Sequence, residues 1–62
     1  MSPIEERARD LVRGSRLSDK AISRHCKVSQ ILITKIKNRE SIGTLPARKI
    51  VCMLAFGTPY KG

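Results

Sequence analysis

The stretch from Leu17 to Asn38, LSDKAISRHCKVSQILITKIKN, decides the fold that this sequence predicts. Ser18 and Ser29 each precede a run in which apolar residues recur three or four positions apart. That spacing is typical of a helix with one buried face, and serine is a favoured N-cap because its hydroxyl accepts a hydrogen bond from a free backbone N–H. We therefore predict one helix over residues 19–26 and a second over residues 30–37, with only a tight turn between them.

Two short helices joined in this way bury a small set of residues between them. The four apolar residues that are predicted to meet are Ile22, Cys26, Ile33 and Ile36. Ser23 supplies the small side chain that is needed where the helices cross, and Val28 fills the turn. This packing leaves the start of the second helix free to enter a major groove, as in a helix-turn-helix unit.

Caps and breakers place one further helix on each side of this unit. Ser2 and Glu5 form a Ser-x-x-Glu capping box, which starts a first helix over about residues 3–13. Thr44 is predicted to be the N-cap of the last helix, and Gly57 is predicted to end it.

No segment shows the alternation of two paired strands, so the predicted class is all-α. We expect a compact domain of four helices, or five, around the central helix-turn-helix. Residues 1–57 are expected to form this domain, and residues 58–62 to form a mobile tail. A chain of 62 residues holds one domain at most and is too short for a cofactor-binding α/β fold.

The candidate ligands and nucleophiles are few. Cys26, Cys52 and His25 do not make up the four ligands of a structural zinc site, so we expect two reduced cysteines and no metal. Neighbouring residues on a helix point to different faces, so His25 and Cys26 cannot form a nucleophile and base pair. Only two carboxylates follow the first helix, Asp19 and Glu40. We therefore expect no enzyme activity, no cofactor and no small-molecule ligand.

The formal charge of +8 lies outside the first helix. Residues 1–13 are neutral overall, whereas residues 16–39 hold seven basic residues and one acidic residue, a net charge of +6. Such a surface attracts a polyanion. The aromatic residues Phe56 and Tyr60 are too few to stack on single-stranded nucleic acid, and no apolar run reaches the roughly 18 residues that span a bilayer. The charge therefore favours nucleic acid, and the small number of aromatic residues favours double-stranded DNA. The short apolar runs disfavour a membrane.

The same stretch resembles the helix-turn-helix of the lambda-repressor/Cro-like family of phage and bacterial DNA-binding regulators. The family pattern runs approximately L-S-x-x-x-[IL]-A-x-x-[LC]-G-V-S-x-x-x-[IV]-x-x-[IL]-x-N. The residues that match it without a gap are Leu17, Ser18, Ile22, Cys26, Val28, Ser29, Ile33, Ile36 and Asn38. Ser23 stands where the family mostly has alanine, and Lys27 stands where it favours a glycine with positive φ. We expect the turn at Lys27 either to be strained or to follow another path.

The resemblance implies a sequence-specific transcriptional regulator, a small Cro-type repressor that blocks a promoter by binding an operator. It implies that bases are read by side chains near the start of the second helix: Gln30, Ile31, Thr34 and Lys35. Phosphate contacts are expected from residues around that helix: Arg16, Lys20, Lys27, Ser29, Lys37, Asn38 and Arg39. Asp19 is expected to cap its helix rather than to accept a hydrogen bond from cytosine, and Leu32 is expected to pack more closely than Ile31.

A reading helix on so small a domain covers few base pairs, so we expect a homodimer on a pseudo-palindromic operator, formed in solution or only on DNA. Its contacts are expected from Ile42, the last helix, Phe56 or Tyr60. The sequence shows no signal-peptide pattern, which predicts the cytoplasm of a bacterial or phage-infected cell. Two other roles stay open, an architectural or excisionase-like DNA-binding accessory protein and a basic module that binds the transcription machinery.

Overall fold

The structure, a computed structural model, describes residues 1–59 and contains four α-helices in that range. Helix α1 is Pro3–Gly14, α2 is Asp19–Cys26, α3 is Gln30–Lys37 and α4 is Thr44–Val51. Helix α4 continues without a break into a π-helical segment, Cys52–Phe56. No strand occurs among residues 1–59, so the all-α class and the four-helix architecture are confirmed. Tyr60 and the rest of the predicted tail from there on lie outside the described residues.

Serine hydroxyls begin three of the four helices, as the sequence predicts. The hydroxyls of Ser2, Ser18 and Ser29 accept hydrogen bonds from backbone N–H groups in the first turns of α1, α2 and α3. The predicted cap of the last helix is wrong. Gly43 is the N-cap of α4, and Thr44 is the first helical residue, because the chain enters this helix with φ 90° at residue 43. A glycine adopts that backbone angle without the strain that a Cβ would bring.

The core lies where all four helices meet. Its fully or almost fully buried apolar residues are Ala8, Val12, Ile22, Cys26, Ile33, Ile36, Ala47, Ile50 and Val51. Val28 and Ile42 are partly buried and pack against this core. Leu45 does not join it and stays 53 % exposed. The four residues predicted to meet between α2 and α3 are therefore all in the core, and Ser23 between them is buried as well.

A buried carboxylate joins the N-terminal ends of α1 and α4. Glu5, only 5 % exposed, completes the predicted capping box by accepting hydrogen bonds through Oε1 from the backbone and the hydroxyl of Ser2. Its Oε2 accepts from the Ser41 hydroxyl at 2.7 Å, the Ile42 N–H at 2.7 Å and the Gly43 N–H at 3.2 Å. Hydrogen bonds from Ser41, Ser2 and Ile42 lower the pKa of Glu5 from 4.5 to about 2. The carboxylate therefore fixes the loop that leads into α4.

The π-helical segment ends as predicted at Gly57, which adopts a left-handed conformation with φ 71°. The Gly57 N–H donates to the carbonyl of Met53, and the Thr58 N–H donates to the carbonyl of Cys52. Thr58, the first residue of the predicted tail, is thus hydrogen-bonded to the π-helical segment. Among the helices of residues 1–59, none has the length and apolar character needed to cross a bilayer.

Candidate nucleic-acid interface

The turn between α2 and α3 takes the left-handed path that the sequence pattern calls for, although its first residue is not glycine. Lys27 has φ 57° and ψ 43°. The carbonyl of Ser23 accepts hydrogen bonds from the N–H groups of both Lys27 and Val28, the latter at 3.0 Å. These bonds satisfy the end of α2 in a Schellman-type closure, and Val28 packs against the core beneath it. Of the two expected outcomes at Lys27, the strained turn is the one observed.

Helix α3 has one buried and one exposed face. Ile33 and Ile36 have no exposed surface and anchor α3 to the rest of the domain. A helix turns by about 100° per residue, so the four predicted base-reading positions span an arc of about 140° on the side opposite Ile33 and Ile36. All four of these side chains are exposed: Gln30, Ile31, Thr34 and Lys35. The helix therefore presents the whole predicted row to solvent, starting in its first turn.

The members of this row differ in what they still offer to a ligand. The Thr34 hydroxyl donates to the Gln30 carbonyl at 3.3 Å, so its proton is committed to the helix and its oxygen remains an acceptor. Ile31 is 66 % exposed, one of several large apolar side chains on the surface of this chain. Leu32 is half-buried, which agrees with the expectation that it packs more closely than Ile31. The exposed row thus combines an amide, a branched apolar side chain, a hydroxyl acceptor and an ammonium group.

The predicted phosphate-binding residues are all exposed, and they differ in their partners. They are Arg16, Lys20, Lys27, Ser29, Lys37, Asn38 and Arg39. The Ser29 hydroxyl accepts from the Ile31 N–H at 3.2 Å and so acts as the cap of α3. The Lys37 ammonium is held by the carboxylate of Asp19 at 2.5 Å, whereas the other basic members of the set have no ion pair within residues 1–59.

The Lys37–Asp19 pair changes the role expected for Asp19. The predicted N-cap, Ser18, is confirmed, because its hydroxyl accepts from the Ala21 N–H at 3.2 Å, and the capping role also expected of the Asp19 carboxylate is not observed. Asp19 instead connects the first turn of α2 to the last residue of α3, 18 positions along the chain. Nothing in the local sequence indicates this contact, because it depends on how the two helices cross.

Arg39 repeats the backbone geometry of Lys27 at the other end of α3. It has φ 62°, and its N–H donates to the Ile36 carbonyl at 3.2 Å. The Glu40 N–H donates to the Lys35 carbonyl at 2.9 Å, which completes a second Schellman closure. A basic residue with a left-handed backbone therefore lies just beyond the C-terminal end of each helix of the unit.

The cysteines and the histidine differ in how far they are buried. Cys26 and Cys52 are both free, and burial raises the pKa of the Cys26 thiol. His25 is exposed on α2, next to an open depression that it lines with Lys20 and Arg24. No group of three potential metal-ligating side chains occurs within residues 1–59.

No protein-family model matches this chain, and no curated protein or solved structure matches it either.

Proposed function

We propose that this chain is a sequence-specific, double-stranded DNA-binding transcriptional regulator of the lambda-repressor/Cro-like helix-turn-helix type. Its most direct action is repression, in which the protein covers a promoter and denies it to RNA polymerase. The observation that carries the proposal is α3 itself. It is fixed to the core by Ile33 and Ile36 and presents the exposed row that begins at Gln30. A major groove about 12 Å wide accepts one helix of this kind.

The chemistry of the row suits base edges. The Gln30 amide can pair with adenine through two hydrogen bonds, and the exposed Ile31 side chain suits thymine methyl groups. Lys35 lies one turn further along the helix and can donate to guanine or to a phosphate. Ile31, which is 66 % exposed, adds an apolar contact that a phosphate cannot use, and we therefore assign it to base reading.

The charge distribution supplies the rest of the affinity. The exposed cations before and after α3, among them Arg16, Lys20 and Arg39, are the groups that we assign to contacts with backbone phosphates. Phosphate contacts of this kind orient a domain on the duplex without reading its sequence. Helix α1, whose residues are neutral overall, serves as scaffold.

A homodimer on a pseudo-palindromic operator completes the proposal. One eight-residue reading helix covers a few base pairs, and a twofold pair doubles the site. The exposed apolar side chains of Leu45 and Phe56, 53 % and 70 % exposed, are the surface we assign to the contact. Ile42, also expected there, packs against the core and so contributes less than the sequence indicated.

Selection of bound sites from a pool of random duplexes tests the proposal. We expect a consensus with twofold symmetry, and a titration in which the selected duplex binds at least a thousandfold more tightly than its scrambled version. Gln30→Ala should relax the preference at one base position, whereas Arg16→Ala should weaken all duplexes about equally. An affinity ratio near one at every salt concentration would exclude sequence-specific regulation and favour an architectural role. No binding of any duplex would favour a protein-interaction module.

A further inference from the structure

Lys27 and Arg39 share a backbone conformation that neither residue type favours. Their φ angles are 57° and 62°, and no other non-glycine residue of the described chain has a positive φ. In this region Cβ approaches the backbone carbonyl, so glycine is the residue that fits without strain. The fold alone would therefore select glycine at both positions, as it does at Gly57, which ends the π-helical segment with φ 71°.

The two residues also occupy equivalent places around α3. Lys27 lies three residues before the first residue of α3, and Arg39 lies two residues after its last. The eight helical residues between them rise about 12 Å, so the two residues lie beyond opposite ends of α3. Each residue therefore stands beside one end of the helix that is proposed to enter the groove. Both are exposed, and neither forms an ion pair within residues 1–59.

We propose that Lys27 and Arg39 form a two-cation clamp that contacts one backbone phosphate at each end of α3, at the expense of fold stability. The proposal rests on the proposed function, because the clamp needs a duplex. The competing explanation is that each cation stabilises the negative end of the helix that it follows. The two explanations predict opposite effects of glycine on stability, which makes them separable.

The test uses the full chain and a fluorescein-labelled 20-base-pair duplex of mixed sequence, with binding measured by anisotropy over a series of NaCl concentrations. The variants are Lys27→Gly, Arg39→Gly, the double variant and Lys27→Asn, since asparagine tolerates a left-handed backbone without supplying charge. Arg7→Ala is the matched control, because it removes one exposed cation from α1. Thermal unfolding is followed for every variant.

We expect each glycine variant to unfold at a higher temperature than the wild type and to bind the duplex more weakly. The slope of log K against log salt should become shallower by about 1 for each single variant and by about 2 for the double variant. Lys27→Asn should make this slope shallower by the same amount as Lys27→Gly, whereas Arg7→Ala should change it little. Slopes that match the Arg7→Ala control, or glycine variants that unfold at lower temperature, would overturn the clamp while leaving DNA binding intact. A wild-type protein that does not bind the duplex would overturn the proposed function and the clamp with it.

Discussion

The carboxylate of Glu5 accepts a hydrogen bond from the hydroxyl of Ser41 at 2.7 Å, across a separation of 36 residues. The same oxygen accepts from the next two backbone N–H groups, those of Ile42 and Gly43. One anion thus serves the N-terminal ends of two helices, where unpaired N–H groups and the helix dipole both favour negative charge. The contact fixes the loop after α3 and with it the start of α4.

Glu5→Gln is expected to lower the temperature of thermal unfolding by several degrees. The amide that replaces the carboxylate carries no charge and brings its own donor into a place where the N–H groups of Ile42 and Gly43 and the Ser41 hydroxyl already point. Glu6→Gln is the matched control, because Glu6 is an exposed carboxylate in the same helical turn. Equal unfolding temperatures for the two variants would show that the Glu5 contacts contribute nothing to stability.

The carboxylate of Glu5 should also make the free energy of unfolding depend on pH in the acidic range. The pKa of Glu5 is about 2 in the folded protein and 4.5 at its ordinary value, so the unfolded chain takes up a proton more readily. The contribution of Glu5 is therefore complete above pH 4.5 and is lost as the pH falls towards 2. Urea unfolding of the wild type and of Glu5→Gln over this range should give curves that converge at low pH. A constant difference between them would contradict the prediction.

Two glycines should respond to alanine with opposite signs. Gly43→Ala places a Cβ on a backbone with φ 90° and ψ 163°, a region used almost only by glycine, and is expected to cost about 1–3 kcal/mol of unfolding free energy. Gly14→Ala lies at the end of α1 with no atom within 4 Å of the added Cβ, and it should stabilise by about 0.4–1 kcal/mol. Urea unfolding at neutral pH measures both. Destabilisation by Gly14→Ala would mean that the end of α1 needs glycine for its backbone.

Substitutions at Ile33 and Ile31 of α3 should affect stability and DNA binding separately. Ile33 has no exposed surface, so Ile33→Val is expected to cost about 0.5–1.5 kcal/mol of stability. Ile31 is 66 % exposed, and Ile31→Val should change stability by less than about 0.5 kcal/mol. The exposed variant should instead reduce discrimination at one base position of the selected site. Stability losses of equal size would show that Ile31 is packed in solution.

Most of the fold followed from local chemistry. The serine caps of α1, α2 and α3 and the buried positions of Ile33 and Ile36 depend on neighbours in sequence, and they were predicted. The left-handed turn at Lys27 was one of two expected outcomes. The helix bounds of α2 and α3 agree with the prediction at every residue. Thr44 was mistaken for a cap because threonine is a good one and glycine is a weaker indication at that position.

The features that the sequence did not predict depend on contacts between distant segments. The second half of the Glu5 site lies 36 or more residues away, and the partner of Lys37 lies 18 residues away. A Ser-x-x-Glu pattern accounts for one carboxylate oxygen of Glu5 and says nothing of the other. Likewise, a basic residue such as Arg39 carries no local mark of a left-handed backbone, because the sequence preference there is for glycine or asparagine.

The ion pair between Asp19 and Lys37 should oppose DNA binding, since the carboxylate holds a cation that lies at the end of the proposed reading helix. Asp19→Asn is therefore expected to tighten duplex binding and to steepen the salt dependence by about one phosphate contact. Both side chains are partly solvent-exposed, so the change in unfolding free energy should stay below about 1 kcal/mol.

Asp10→Asn is the control for this last prediction, because it removes one exposed carboxylate from α1 and changes the net charge equally. If Lys37 becomes available to a phosphate, Asp19→Asn should tighten binding more than Asp10→Asn, and the double variant Asp19→Asn with Lys37→Ala should lose that advantage. Anisotropy titrations of the four proteins against one duplex decide the matter. Equal gains in duplex affinity for the two single variants would mean that binding depends only on net charge and that Lys37 does not contact the DNA.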